Sequence, residues 1–98
     1  MTRTAKRVFT APGDIEHLQA QIGELCEGAY VRLTTKDGDI QQGTVSARPQ
    51  AQLFFDPDGA EGTNAVVRLV EPAMDPVGAS QREFWLDEIA RIERLDPP

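Results

Sequence analysis

The sequence predicts a mainly β domain with one N-terminal α-helix, built as a small, strongly bent barrel of five to six antiparallel strands. Three observations lead there. One amphipathic stretch precedes a series of short β-rich segments. Two of those segments, in VRLTTKDGDIQQGTV, flank an Asp-Gly pair. Gly43 interrupts the second of them, and a glycine inside a strand marks a bulge or a sharp bend. A short strand that bends at its centre serves two faces of a curved, closed sheet.

Taken in order, residues 1–12 read as a flexible basic arm ending at Pro12, with Arg7-Val8-Phe9 as a weak edge-strand signal, and residues 13–96 as one domain. A helix is expected over residues 14–27. Asp14 suits the N-cap, Glu16 favours the positive end of the helix dipole, and Ile15, Leu18, Ile22, Leu25 and Cys26 form one apolar stripe. Gly28 is placed to end the helix in the left-handed conformation. Residues 30–35 alternate Val31 and Leu33 against Arg32 and Thr34, the pattern of a half-buried strand. Asp37-Gly38 suits a type I′ turn, with Lys36 and Asp39 closing the hairpin. The second strand runs from Ile40 to about Ala47, the third over residues 52–55, stopped by Asp56-Pro57-Asp58-Gly59. Residues 60–64 read as loop, and residues 65–71 as a strand with apolar residues on both faces. Residues 72–80, with two prolines, read as a long surface loop and residues 82–87 as a strand. Ile89, Ile92 and Leu95 fit helix or strand by period alone.

Ninety-eight residues make one domain, since two cores of half that size would each bury too little surface to offset chain entropy. The one cysteine, Cys26, permits no intramolecular disulfide, which fits a cytoplasmic protein. No apolar run reaches the length of a membrane span. Ten Lys and Arg face sixteen Asp and Glu, for a net charge of −6, and Arg3, Lys6 and Arg7 all sit at the N-terminus. The rest of the chain is therefore more acidic still, and such a body repels polyanions. Nonspecific nucleic-acid binding depends on neutralising phosphates and is disfavoured.

Chemistry-bearing residues are sparse. His17, the single histidine, lies among Glu16, Gln21 and Glu24, and no motif places a nucleophile for it to activate. Cys26 on the apolar stripe reads as a small buried hydrophobe. Asp56, Asp58 and Glu61 lack the spacing of a calcium loop. No enzyme activity, cofactor or metal is expected. Phe84-Trp85 is the most suggestive pair, because adjacent strand residues point to opposite faces. One then belongs to the core. The other forms an outward patch with Tyr30 or Phe54, unless the helix covers it.

The order of helix, glycine-bent hairpin, further strands and the terminal FWLDEIARIERL resembles the Sm-like (LSm) family. Val31, Leu33, Gly38, Gly43 and Val45 are similar to that family's first motif. EFWLDEIARIERL resembles its closing strand, one-turn 3₁₀ connection and short final strand, with Leu86 and Ile89 on either side of the turn. The resemblance implies that residues 90–95 are a strand. The family's RNA pocket uses an Asp and an Asn in the loop after the bent strand and an Arg-Gly-like pair before the final turn. Here those places read ARPQAQL and WLDEI, so the pocket does not carry over. The chain also resembles a family of short uncharacterised gammaproteobacterial proteins. The expectation is a noncatalytic Sm-like interaction module acting through self-association, as a homodimer rather than a ring, and through a protein partner. The candidate interaction surface is Tyr30, Arg32, Arg48, Phe54, Arg68 and Trp85. The alternative is RNA binding through a local basic face formed by the basic N-terminal arm with Arg32, Arg48 and Arg68.

Overall fold

The computed structural model describes residues 3–70 and 82–95. The elements are β1 (Arg3–Thr4), α1 (Pro12–Glu24), β2 (Tyr30–Thr35), β3 (Ile40–Val45), β4 (Gln52–Phe55), β5 (Glu61–Asn64), β6 (Val66–Val70), β7 (Arg82–Trp85), a 3₁₀ turn (Leu86–Glu88) and β8 (Ile89–Arg94). The expected loop over residues 72–80 lies outside the described residues.

Five strands form one sheet in the order β7-β6-β3-β2-β8, and three form a second in the order β1-β4-β5. All pairs are antiparallel except the two-residue β1 against β4. The end strands of the larger sheet, β7 and β8, are consecutive in sequence and joined only by the 3₁₀ turn. A flat five-stranded sheet would hold them roughly 19 Å apart. A 3₁₀ turn advances about 2 Å per residue, or roughly 8 Å in all. The sheet therefore curls, bringing its two ends together. The expected closed barrel is corrected to this extent: among the described residues no ladder joins β7 to β8, and the sheet is curled but open.

The core lies inside that curl. Val31, Leu33, Val45, Val67, Leu69 and Leu86 are fully enclosed, and α1 covers one side with Leu18 and Ile22, followed by its C-cap Leu25. Gln21, also buried, donates from Nε2 to the Leu86 carbonyl at 3.0 Å and so ties the helix to the 3₁₀ turn. The helix begins two residues earlier than expected because Pro12, with its φ already fixed, occupies the first turn. Asp14 thus sits inside the first turn and Ala11 is the N-cap. The helix stops at Glu24, with Leu25 as C-cap. Gly28, at φ 84°, shapes the link to β2, where its N–H meets the Val45 carbonyl at 2.8 Å.

The hairpin turn also differs from expectation. No residue other than glycine has positive φ among the described residues, so Asp37 does not, and a type I′ turn is excluded. Gly38 alone is left-handed, at φ 94°, and Thr35 N–H closes the loop on the Asp39 carbonyl at 2.8 Å. This is the three-residue loop that ends in a left-handed glycine.

Gly43 is buried where β3 changes neighbours. It faces Val31 of β2, while the pairing of β3 with β6 begins only at Thr44. A Cβ there would stand 3.0 Å from Leu69 Cβ, 3.1 Å from the Val70 carbonyl oxygen and 3.2 Å from Arg82 Nη2. The glycine is required by the close approach of β6 and of the Arg82 guanidinium, which donates to the Gln42 carbonyl at 2.6 Å and to the Gln41 side chain.

Residues 60–64, expected to be loop, contain β5. Its sequence, Glu-Gly-Thr-Asn, has little strand propensity. The turn before it supplies the order: Asp56 Oδ1 accepts from the backbone N–H of Asp58 and of Ala60, both at 2.9 Å. Over residues 3–9 the N-terminal chain lies along the small sheet. Arg3–Thr4 pairs along β4, Ala5 is buried, and Phe9 bridges Thr63. Gly62 makes room for it, since a Cβ there would lie only 2.8 Å from Val8.

Candidate functional site

Among the described residues, a buried junction and a surface groove outside the core both gather polar side chains. The first is a buried junction between the N-terminal chain, β5 and the 3₁₀ turn. Asn64, fully buried, donates from Nδ2 to the Arg7 carbonyl at 2.9 Å and to Asp87 Oδ1 at 3.0 Å, and its Oδ1 accepts from Ala65 N–H at 2.8 Å. Arg7 Nε meets Asp87 Oδ2 at 3.0 Å. The Asp87 side chain is 8% exposed and that of Arg7 62%. Both the amide nitrogen and the amide oxygen of Asn64 have partners, so the junction is a structural clasp.

The second is a surface groove of about 220 Å³ lined by residues 46–50 of the loop after β3, with Gln52, Phe54, Val66 and Arg68. Strand alternation builds it. Val67 and Leu69 of β6 point into the core, so Val66 and Arg68 point out. Opposite them in β7 stand Trp85 and Glu83. Trp85 is covered from the outside by Phe54 of β4, edge to face, with ring centroids 5.1 Å apart. The small sheet thus packs over the outer face of β6 and β7, and the groove opens along the seam.

The structure unites three of the six sequence-predicted surface residues, Arg48, Phe54 and Arg68, in this groove, with Trp85 directly behind Phe54. Phe54 is only 1% exposed, so it is the floor of the groove and not an outward aromatic. Of the Phe84-Trp85 pair, Phe84 packs against the core and Trp85 is half-buried on the other face. Both are covered, but the cover over Trp85 is β4 and not the helix. Tyr30, 43% exposed, and Arg32 lie outside the lining. Arg32 pairs with Glu93 of β8 at 3.8 Å.

None of the nine lining residues is acidic. Arg68 Nε meets Glu83 at 3.3 Å from the groove's edge. Arg48 reaches instead to the Cys26 thiol, with Nη2 3.2 Å from Sγ. Cys26 is half-buried and not enclosed as its place on the stripe suggested, because the helix ends before it. Chemically the groove offers a guanidinium whose present partner is a weak acceptor, two glutamine amides and a small apolar floor. Sequence reasoning missed Ser46, Ala47, Pro49, Gln50, Gln52 and Val66, which carry no individual signal. They matter only because the inserted hairpin of β4 and β5 folds back over β6.

A family model described as a domain of unknown function, DUF3247, matches residues 2–95. The fold is similar to the crystal structure of a protein from Xanthomonas campestris described as adopting a novel variant of the Sm-like motif. That similarity has a TM-score of 0.86 at 27% sequence identity, over 98% of this chain and 100% of the other. A search of curated proteins found no match.

Proposed function

The chain belongs to the DUF3247 family, and from that premise we propose that it is a noncatalytic Sm-like interaction module that works through self-association and a protein partner. The supporting observation is the open ends of the curled sheet. Among the described residues, β7 and β8 each have a strand on one side only. An unpaired strand edge is a template for another chain, and like edges pair about a two-fold axis to give a closed dimer. A cytoplasmic setting belongs to the same proposal; among the described residues no helix is long and apolar enough to cross a membrane.

Light scattering coupled to size exclusion is expected to give a dimer mass. A monomer at high concentration refutes edge pairing, and a six- or seven-fold mass replaces the dimer with a ring. The runner-up, RNA binding through the basic N-terminal arm with Arg32, Arg48 and Arg68, has less support: Lys6, Arg7, Arg32 and Arg68 are already shared with Glu88, Asp87, Glu93 and Glu83, and the chain carries −6 overall.

A further inference from the structure

We infer that the groove between the β3–β4 loop and β6 receives an extended acidic peptide segment of a protein partner, with one Asp or Glu carboxylate held by Arg48. The inference rests on the proposed protein partner and names its chemistry.

Charge complementarity carries it. On a chain of net charge −6, the nine lining residues include two arginines and no carboxylate. The two are not equivalent. Arg68 already has Glu83 beside it. Arg48 is exposed, meets no carboxylate among the described residues, and points its Nη2 at a thiol. A guanidinium in that state gains two parallel charge-assisted hydrogen bonds by turning to a carboxylate. The site thus has capacity for one anionic group, which suits a single acidic residue better than a run of phosphates.

The floor argues in the same direction. Single-stranded nucleic acid is held by bases stacked on exposed rings, but the Phe54 ring is 1% exposed and its edge contact is taken by Trp85. At about 220 Å³ the groove is also smaller than usual small-molecule pockets, which run from roughly 300 to 1,000 Å³. Val66, half-buried beside the buried Pro49, offers a shallow apolar step for one short side chain beside the carboxylate. Gln50 and Gln52, both exposed, present amides that can donate to and accept from an extended backbone.

The test pans phage-displayed random dodecapeptides on the wild-type protein, then measures the enriched peptides by fluorescence anisotropy. Expected are sequences with Asp or Glu next to a small apolar residue. Their binding should weaken at least tenfold in Arg48→Gln and also when the peptide acid is replaced by its amide. Arg48 is exposed, so circular dichroism of the variant should match wild type. No enrichment, enrichment without acidic residues, or binding unchanged in Arg48→Gln overturns the inference. So does displacement of the peptide by labelled oligo-uridine that itself binds in an Arg48-dependent way. Pull-down from nuclease-treated native extract separates this from the wider reading. A protein retained equally by wild type and Arg48→Glu sinks the groove and leaves the partner standing; no protein retained by wild type sinks the partner.

Discussion

Replacing Asn64 by alanine is expected to lower stability by about 3 kcal/mol, since one buried and two part-buried groups lose their partner at once and a buried group left unpaired costs roughly 1–3 kcal/mol. The Ala65 N–H, the Arg7 carbonyl and Asp87 Oδ1 all depend on this one side chain. For a domain of this size the thermal midpoint falls by roughly 4–8 °C per kcal/mol. Asn64→Asp is the informative companion. It keeps the acceptor for Ala65 but sets a carboxylate where the amide stood 3.0 Å from Asp87 Oδ1. That variant should be destabilised too, although its shape is nearly unchanged. Melting curves of the two decide the matter; a midpoint within 2–3 °C of wild type for Asn64→Ala, less than about 1 kcal/mol, refutes the clasp.

Gly43→Val is the second large effect, expected to cost about 2–3 kcal/mol by overpacking. A Cβ alone would press on Leu69 Cβ and the Val70 carbonyl at 3.0 and 3.1 Å, neither of which can move without shifting β6. The extra methyls add to this and crowd Arg82, which bonds across the gap to Gln42. Gly43→Ala should fall between wild type and valine. Chemical denaturation of the series measures it, and equal midpoints for all three would show that the two strands are not held this close.

These two positions show how unevenly the sequence discloses the molecule. Gly43 was legible as a special position, but the reading of a bend was incomplete: what demands glycine is a neighbouring strand and a guanidinium from the far end of the chain. Asn64 gave no signal, because its value comes from Arg7 and Asp87, distant in sequence and adjacent only in the fold. The C-terminal segment was ambiguous for a definable reason. Ala90 is the extra residue of a bulge, with Thr34 opposite Arg91 and Thr35 opposite Ile89. The bulge puts two core-side isoleucines three residues apart, which imitates a helical period. The resemblance to the Sm-like family resolved that ambiguity where periodicity did not. The groove was legible only in part: its arginines were identifiable as cations on an acidic chain, but its floor depended on how the hairpin of β4 and β5 packs.

The curl of the large sheet has a consequence for how the chain is made. β2 lies near the beginning of the domain, yet one of its two flanks is covered only by β8, which pairs Val31 with Arg94 at the very end. A ribosome releases the chain from its N-terminus, so β2 emerges early and its flank stays bare until the final strand leaves the tunnel. Contacts between such distant segments are also the slow ones to form. Released chains truncated before Ile89 should therefore remain sensitive to protease, and released chains that extend past Arg94 should not. For this fold, one flank of β2 stays open until β8 is available to cover it, and that open flank is something every copy displays during its own birth.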